Sequence, residues 1–207
     1  MATFDERAAE WDSPEHVARA EAVADAFVAA VPIEPGTRAI ELGAGTGLLG
    51  LAIRRRVGAA RLSELLLTDA SGGMLAVADS KIRDGRIAGV RTARFAVTTD
   101  PPPDGAPFDL AVSLLVLHHV EDTPAALRGI AGLLRPGGLL ALSDLDTEDG
   151  SFHTAEAEGI HHLGFDRGAL RDLAEAAGFE DVRLSTAGTM EREGRDYPLF
   201  LLVARRR

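Results

Sequence analysis

The stretch IELGAGTGLLGLAI, Ile40 to Ile53, joins a short apolar run, three alternating glycines at 43, 45 and 47, and a second apolar run at helical spacing. That order predicts a strand, a tight turn and the start of a helix. Glycine admits positive φ and lets a ligand approach the backbone closely, and a helix N-terminus offers free N–H groups. Several unrelated ligands use such a turn, so the neighbouring residues must choose among them. A phosphate-binding P-loop needs Gly-Lys-Ser/Thr at its end, and here Gly47 is followed by Leu48 and Leu49. A dinucleotide fingerprint wants its third glycine three positions after the second, but position 48 is Leu. Glu41, directly before the loop, would set a carboxylate against a pyrophosphate, which is costly in a partly desolvated site. The same carboxylate suits a cofactor with a cationic amino-acid portion and no phosphate, and S-adenosylmethionine is one. Asp69 then stands 69 − 47 = 22 residues past the last loop glycine, the offset at which an acid hydrogen-bonds ribose hydroxyls.

Outward from the loop, strands and helices alternate. Ser13 and Pro14 read as the N-cap and first residue of a helix whose apolar face runs from Val17 to Val31. TRAIEL, ELLLTD, RTARFAV, the near-continuous apolar FDLAVSLLVL and LLALSDL read as five strands, separated by helices at TGLLGLAIRRRV, ASGGMLAVADSKI and Thr123 to Leu134. The fourth helix stops at RPGG. Asp166 caps a further helix, with Phe165 and Leu170 placed as a hydrophobic staple and Gly178 as its stop. FEDVRLST and YPLFLLVA leave no room for a helix between them, so they should pair antiparallel. The expected fold is α/β: a Rossmann-like, mostly parallel sheet with helices on both faces and an antiparallel end.

The 207 residues are expected to form one domain, with 1–31 as an N-terminal cap helix region. A net charge of −10 argues against nucleic-acid and anionic-membrane partners. The chain has no cysteine, which excludes thiolate zinc sites and cysteine nucleophiles. Seven acids within the first thirty residues and the shortness of every apolar run leave no expected signal or spanning segment, so a cytoplasmic location is expected.

ELGAGTG, TDASGGML, FDLAVSLLVLHHV and LLRPGGLLALSD, in this order, resemble the successive motifs of class I S-adenosylmethionine-dependent methyltransferases. The resemblance runs from about the first helix to the C-terminus and implies that family's seven-stranded sheet with a reversed last strand. It further implies that Glu41, Gly43, Ala44, Gly45 and Gly47 line the methionine and ribose side of S-adenosylmethionine. By the same resemblance Asp69 holds the ribose diol, Ala70 and Met74 pack near the adenine, and Ser113 and Leu114 lie beside the reacting methyl. The family's acid after strand 3 would fall at Ala96 or Val97, so the adenine amino group is left to Asp100 or to a backbone carbonyl. Phe4 and Trp11 resemble an N-terminal cap over the methionine end; the plainer reading is an apolar end tucked onto the sheet.

His118 and His119 follow strand 4 at the carboxyl edge, where open α/β sheets bind ligands. Either they face the pocket, His119 slightly preferred, or they pack beneath and cap the next helix. Zinc is not expected, because adjacent histidines share a tetrahedral face poorly. The connection 145–165 is long for a compact domain and is read as a substrate lid. It carries His153, His161 and His162, and its acids Asp146 and Glu148 are read as solvated, as are the charges of EREGRD. Together these readings give methyl transfer to a small-molecule acceptor, releasing S-adenosylhomocysteine. The alternative is a cofactor-binding, non-catalytic module that acts on a partner protein. The acceptor, the methylated atom and the oligomeric state stay open.

Overall fold

The computed structural model describes residues 3–153 and 159–207. Seven strands form one sheet: β1 (Thr37–Leu42), β2 (Leu62–Asp69), β3 (Val90–Arg94), β4 (Phe108–Leu114), β5 (Leu134–Leu145), β6 (Phe179–Arg192) and β7 (Arg195–Arg206). Their order is β3-β2-β1-β4-β5-β7-β6. The first five run parallel, and β7 enters antiparallel between β5 and β6. This is the Rossmann-like sheet that the alternation and the closing strands predict. The order reverses between β1 and β4, which opens a crevice at their carboxyl ends.

The helices are α1 (Phe4–Arg7), α2 (Pro14–Ala30), α3 (Leu48–Val57), α4 (Gly72–Asp84), α5 (Thr123–Leu133) and α6 (Arg167–Ala176). Val23 and Phe27 of α2, Leu49 and Ile53 of α3 and Ala78 of α4 pack with Val112 and Ala141 on one face of the sheet. Leu127 and Ile130 of α5 and Leu170 and Ala174 of α6 pack with Ala111 and Leu140 on the other. Consecutive strand residues face opposite ways, so the apolar runs of β4 and β5 supply both layers. Ser13 caps α2 by accepting from the His16 N–H, and Asp166 caps α6 by accepting from the Ala169 N–H.

Three of the differences from the sequence reading have a local reason. The run 108–117 leaves the sheet after Leu114, because Leu115 takes a left-handed φ of 55° and Leu117–His119 coil into a 3-10 turn. RPGG does not precede β5 but lies inside it. Pro136 has no N–H to pair and Gly137 has φ 77°, so the ladder skips from Phe108↔Leu134 to Leu110↔Leu139. A short helix, α1, precedes α2; Thr3 and Glu6 close a capping box around its start. Among the described residues, no helix is long and apolar enough to cross a membrane. Residues 154–158 of the expected lid lie outside the described residues.

Candidate functional site

The glycine turn links β1 to α3 at the crevice. Gly47 caps α3 in a left-handed conformation and has no side chain to satisfy the first-turn N–H groups. Glu41 does so from beneath: its carboxylate accepts from the Gly50 N–H at 3.0 Å. A Cβ at Gly50 would collide with that carboxylate and with Leu67, so only glycine lets Glu41 reach the helix. The need for Gly50 is invisible in the loop motif, because it arises from a contact across the strand–helix layer.

Glu41 is 2% exposed. Burial pushes its pKa up to about 8, opposed by the Gly50 N–H and assisted by the nearby Asp69 charge. Below the ordinary carboxyl pKa Glu41 is protonated in both the folded and unfolded states. Between that value and about 8 only the folded state keeps the proton, so stability is lost as pH rises through this window. The slope approaches about 1.4 kcal/mol per pH unit. Urea denaturation of the ligand-free chain at several pH values should show this decline, and Glu41→Gln should flatten it. Equal slopes for the two proteins would remove Glu41 as its source.

Asp69, half-buried at the end of β2, accepts from the Gly45 N–H at 2.7 Å and the Ser71 N–H at 2.8 Å. It therefore braces the glycine turn as well as facing the crevice, and each oxygen keeps a second lone pair for a ribose hydroxyl. Ala44 ties the same turn to β2 through the Thr68 carbonyl. Ala70 is exposed beside Asp69, and buried Met74 sits under the loop, its sulfur 3.9 Å from a Cβ built at Gly45. Gly43 admits the Val116 side chain where its own Cβ would be. Asp100 accepts from the Ala96 N–H at 2.8 Å and so shapes the turn after β3. Ser113 is 3% exposed and donates to the Leu42 carbonyl. Its hydroxyl therefore braces β1 against β4, which leaves half-exposed Leu114 at the crevice.

The N-terminal segment closes over this crevice. Asp5 accepts from the Ser71 hydroxyl at 2.6 Å and the Gly73 N–H at 2.7 Å, and those bonds hold its carboxyl below the ordinary range. Asp12 accepts from the Thr46 hydroxyl at 2.5 Å and pairs with Lys81, which also donates to the Thr46 carbonyl. Between these ties Trp11 lies over the loop, its Nε1 3.8 Å from a Cβ built at Gly45. Phe4 stands edge-on to Trp11 and to His119, with centroids 5.7 and 5.6 Å away. Asp5 and Asp12 read as ordinary surface acids in the sequence; no local pattern marks them.

His118 and His119 occupy the turn after β4 and stack with centroids 4.1 Å apart. His118, 3% exposed, hydrogen-bonds through Nδ1 to Asp144 Oδ1 at 2.7 Å. Asp144, fully buried at the end of β5, also accepts from the N–H groups of His118 and Leu145. His119 is half-buried, and its Nδ1 lies 2.8 Å from the Gly159 carbonyl. A carbonyl only accepts, so the His119 proton sits on Nδ1 and Nε2 keeps its lone pair. Burial, with the neighbouring His118 second, lowers the His119 pKa and keeps the ring neutral.

The described part of 145–165 folds back on this cluster. The His161 and His162 N–H groups donate to the His118 carbonyl. Of the three histidines there, only His153 joins the others, its ring centroid 5.1 Å from that of His118. His162 turns its Nε2 to the Val120 carbonyl and Thr123, and His161 is exposed. The acids read as solvated are engaged. Asp146 forms a bidentate pair with Arg167, and Glu148 accepts from the Gly150 and Phe152 N–H groups. Among the described residues, no cluster of three or more His, Cys, Asp or Glu could hold a metal ion.

Residues 40–140 match a family model described as "Methyltransferase domain". A ubiquinone/menaquinone biosynthesis C-methyltransferase (UbiE) from Vibrio cholerae is 30% identical over 171 residues, covering 77% of this chain and 64% of the relative. A UbiE from Xanthomonas campestris is 34% identical over 113 residues, covering 54% of this chain and 44% of the relative. The chain thus spans about half to two-thirds of the length of the curated relatives it matches. Among solved structures, a SAM-dependent methyltransferase from Aquifex aeolicus superposes with a TM-score of 0.71, covering 100% of each chain at 16% identity. That likeness is one of fold.

Proposed function

This chain belongs to the class I S-adenosylmethionine-dependent methyltransferases, and from that premise we propose that it transfers a methyl group to a small-molecule acceptor. The crevice fits the family's cofactor. Glu41, a buried carboxyl group with no cation beside it among the described residues, underlies a loop whose glycines admit close approach, and Asp69 would hold the ribose. When bound, the cofactor supplies an electrophilic methyl on a sulfonium, so the chain has to align the acceptor, exclude water and take a proton. Gly43, Ala44, Gly45 and Gly47 would form the floor for the cofactor, Ala70 and Met74 would flank the adenine, and Trp11 would cover the methionine end. Leu114 would border the methyl.

His119 is the residue we assign to proton removal. It is half-buried between Phe4 and Gly159, and its Nε2 is unprotonated. His118 and Asp144 are too deeply buried to reach an acceptor and act by positioning: Asp144 fixes His118, on which His119 stacks. His119 Nε2 would take the proton that the acceptor gives up when it is methylated. The one observation that carries this reading is the half-buried His119 ring, edge-on to Phe4 of the cap and bound through Nδ1 to the Gly159 carbonyl, which leaves Nε2 unprotonated. The relatives' names, ubiquinone/menaquinone biosynthesis C-methyltransferase, support a small-molecule acceptor.

The test begins with binding. S-adenosylhomocysteine at about a hundred times its dissociation constant should stabilise the fold by roughly 2.7 kcal/mol, and NAD should not. Asp69→Ala should weaken S-adenosylhomocysteine by about tenfold to a hundredfold in calorimetry, since it removes a charge-assisted hydrogen bond. Stabilisation by NAD alone would overturn the cofactor, and unchanged affinity in the variant would overturn the role of Asp69. Release of S-adenosylhomocysteine across a panel of phenols, enols and amines then identifies the acceptor.

A further inference from the structure

Arg19 and Arg192, both half-buried, are among the arginines that form no salt bridge within the described residues. Arg19, on α2, directs Nη1 to the Met190 thioether at 3.8 Å, a weak acceptor. Burial lowers its pKa, with Glu15 acting in the opposite sense. Arg192 lies two residues beyond Met190 on β6, so both side chains leave the strand on the same face. It donates to the Phe152 carbonyl and covers the Phe152 ring at 5.8 Å. Neighbouring arginines are committed elsewhere: Arg195 pairs with Asp149 and Arg167 with Asp146. Partly withdrawing the Arg19 guanidinium from water, with only Glu15 one turn earlier on α2 to offset it, costs free energy, so stability alone gives little reason for Arg19 to be there.

The placement supplies one. Arg19 is one helical turn from His16, whose ring packs on Trp11 at 4.7 Å, over the glycine loop. Arg192 packs on Phe152, next to His153, which stacks on His118. Arg19 thus contacts Met190 on the side of the cap, and Arg192, two residues on and on the same face of β6, packs on the side of the histidine cluster. We propose that Arg19 and Arg192 form an oxyanion subsite of the acceptor pocket, and that the acceptor carries a carboxylate or a phosphate. Guanidinium forks match either group. That the bound anion is a methyl acceptor rests on the methyl-transfer reading; that an anion binds here does not.

Calorimetry on the chain saturated with S-adenosylhomocysteine tests this, with benzoate, phenyl phosphate and neutral benzamide as probes. At least one anion should bind, and benzamide should bind at least about tenfold more weakly, the ratio expected for a charge-assisted contact. Benzoate alone points to a carboxylate acceptor, phenyl phosphate alone to a phosphate, and both to the shared oxyanion chemistry. Arg19→Gln and Arg192→Gln should each weaken the anion about tenfold or more and leave S-adenosylhomocysteine affinity unchanged. Arg19→Met, which keeps the apolar stem without the half-buried charge, should match wild type or exceed it in melting temperature and still lose the anion. If neither anion binds, or if binding survives both substitutions, the subsite is overturned. If S-adenosylhomocysteine does not bind at all and the same titrations on the ligand-free chain show the anion binding through these arginines, the subsite stands and the methyl-transfer reading falls.

Discussion

Replacing His119 with Gln is expected to lower kcat by about 10²- to 10⁴-fold, the usual contribution of a positioned general base. Affinity for S-adenosylhomocysteine should not change, because the role proposed for His119 is toward the acceptor. Gln keeps a side-chain donor for the Gly159 carbonyl but offers no basic nitrogen. The pH profile separates a proton-transfer role from a packing role. Burial and the adjacent His118 hold the His119 pKa below 6.5, so wild-type activity should stay level through neutrality and fall only below about pH 6.5. The variant should lose that acid limb. A variant that keeps the limb, or more than about a tenth of wild-type kcat, would move proton removal to another group.

Asp144→Ala is expected to cost about 3–5 kcal/mol of stability, the range for removing one partner of a buried charged contact. Asp144 is fully buried and accepts from His118 Nδ1 at 2.7 Å, the His118 N–H at 3.1 Å and the Leu145 N–H at 2.8 Å. Alanine would strand all three donors away from water. Asp144→Asn should lose less, since its carbonyl can still serve the backbone N–H groups, while its amide cannot accept from His118 Nδ1. Urea unfolding of both variants measures the difference. A loss under about 1 kcal/mol in the alanine variant would mean that water or a rearranged turn satisfies those donors, and Asp144 would not be the anchor of the cluster.

Much of the fold was legible because periodicity and capping are local. The helix starts at Pro14 and Arg167 follow from Ser13 and Asp166, whose side chains accept from N–H groups three residues on. The antiparallel β6–β7 pair follows from two apolar strands too close together for a helix. The boundaries that moved did so where one backbone angle decides, at Leu115 and Gly137, and composition carries little information about single φ values. Asp146 and Glu148 looked like solvated acids because their partners, Arg167 and the Phe152 N–H, depend on how the loop turns back. The charges of EREGRD looked alike in sequence, yet Arg195 pairs with Asp149 while Arg192 lies on Phe152.

By itself, the sequence determined the sheet, the glycine turn and the class of cofactor, because strand–turn–helix order, the Leu at position 48 and the acid at position 41 constrain chemistry over a few residues. Only the tertiary structure decided which of two adjacent histidines is buried. It paired His118 with Asp144, twenty-six residues away, and left His119 to the Gly159 carbonyl, forty residues away. It also set Trp11 over Gly45 and Arg19 against Met190, 171 residues apart. The physical reason is range. Turn and capping preferences act over three or four residues, whereas a tautomer, a buried charge and a raised pKa are set by whatever the fold packs alongside.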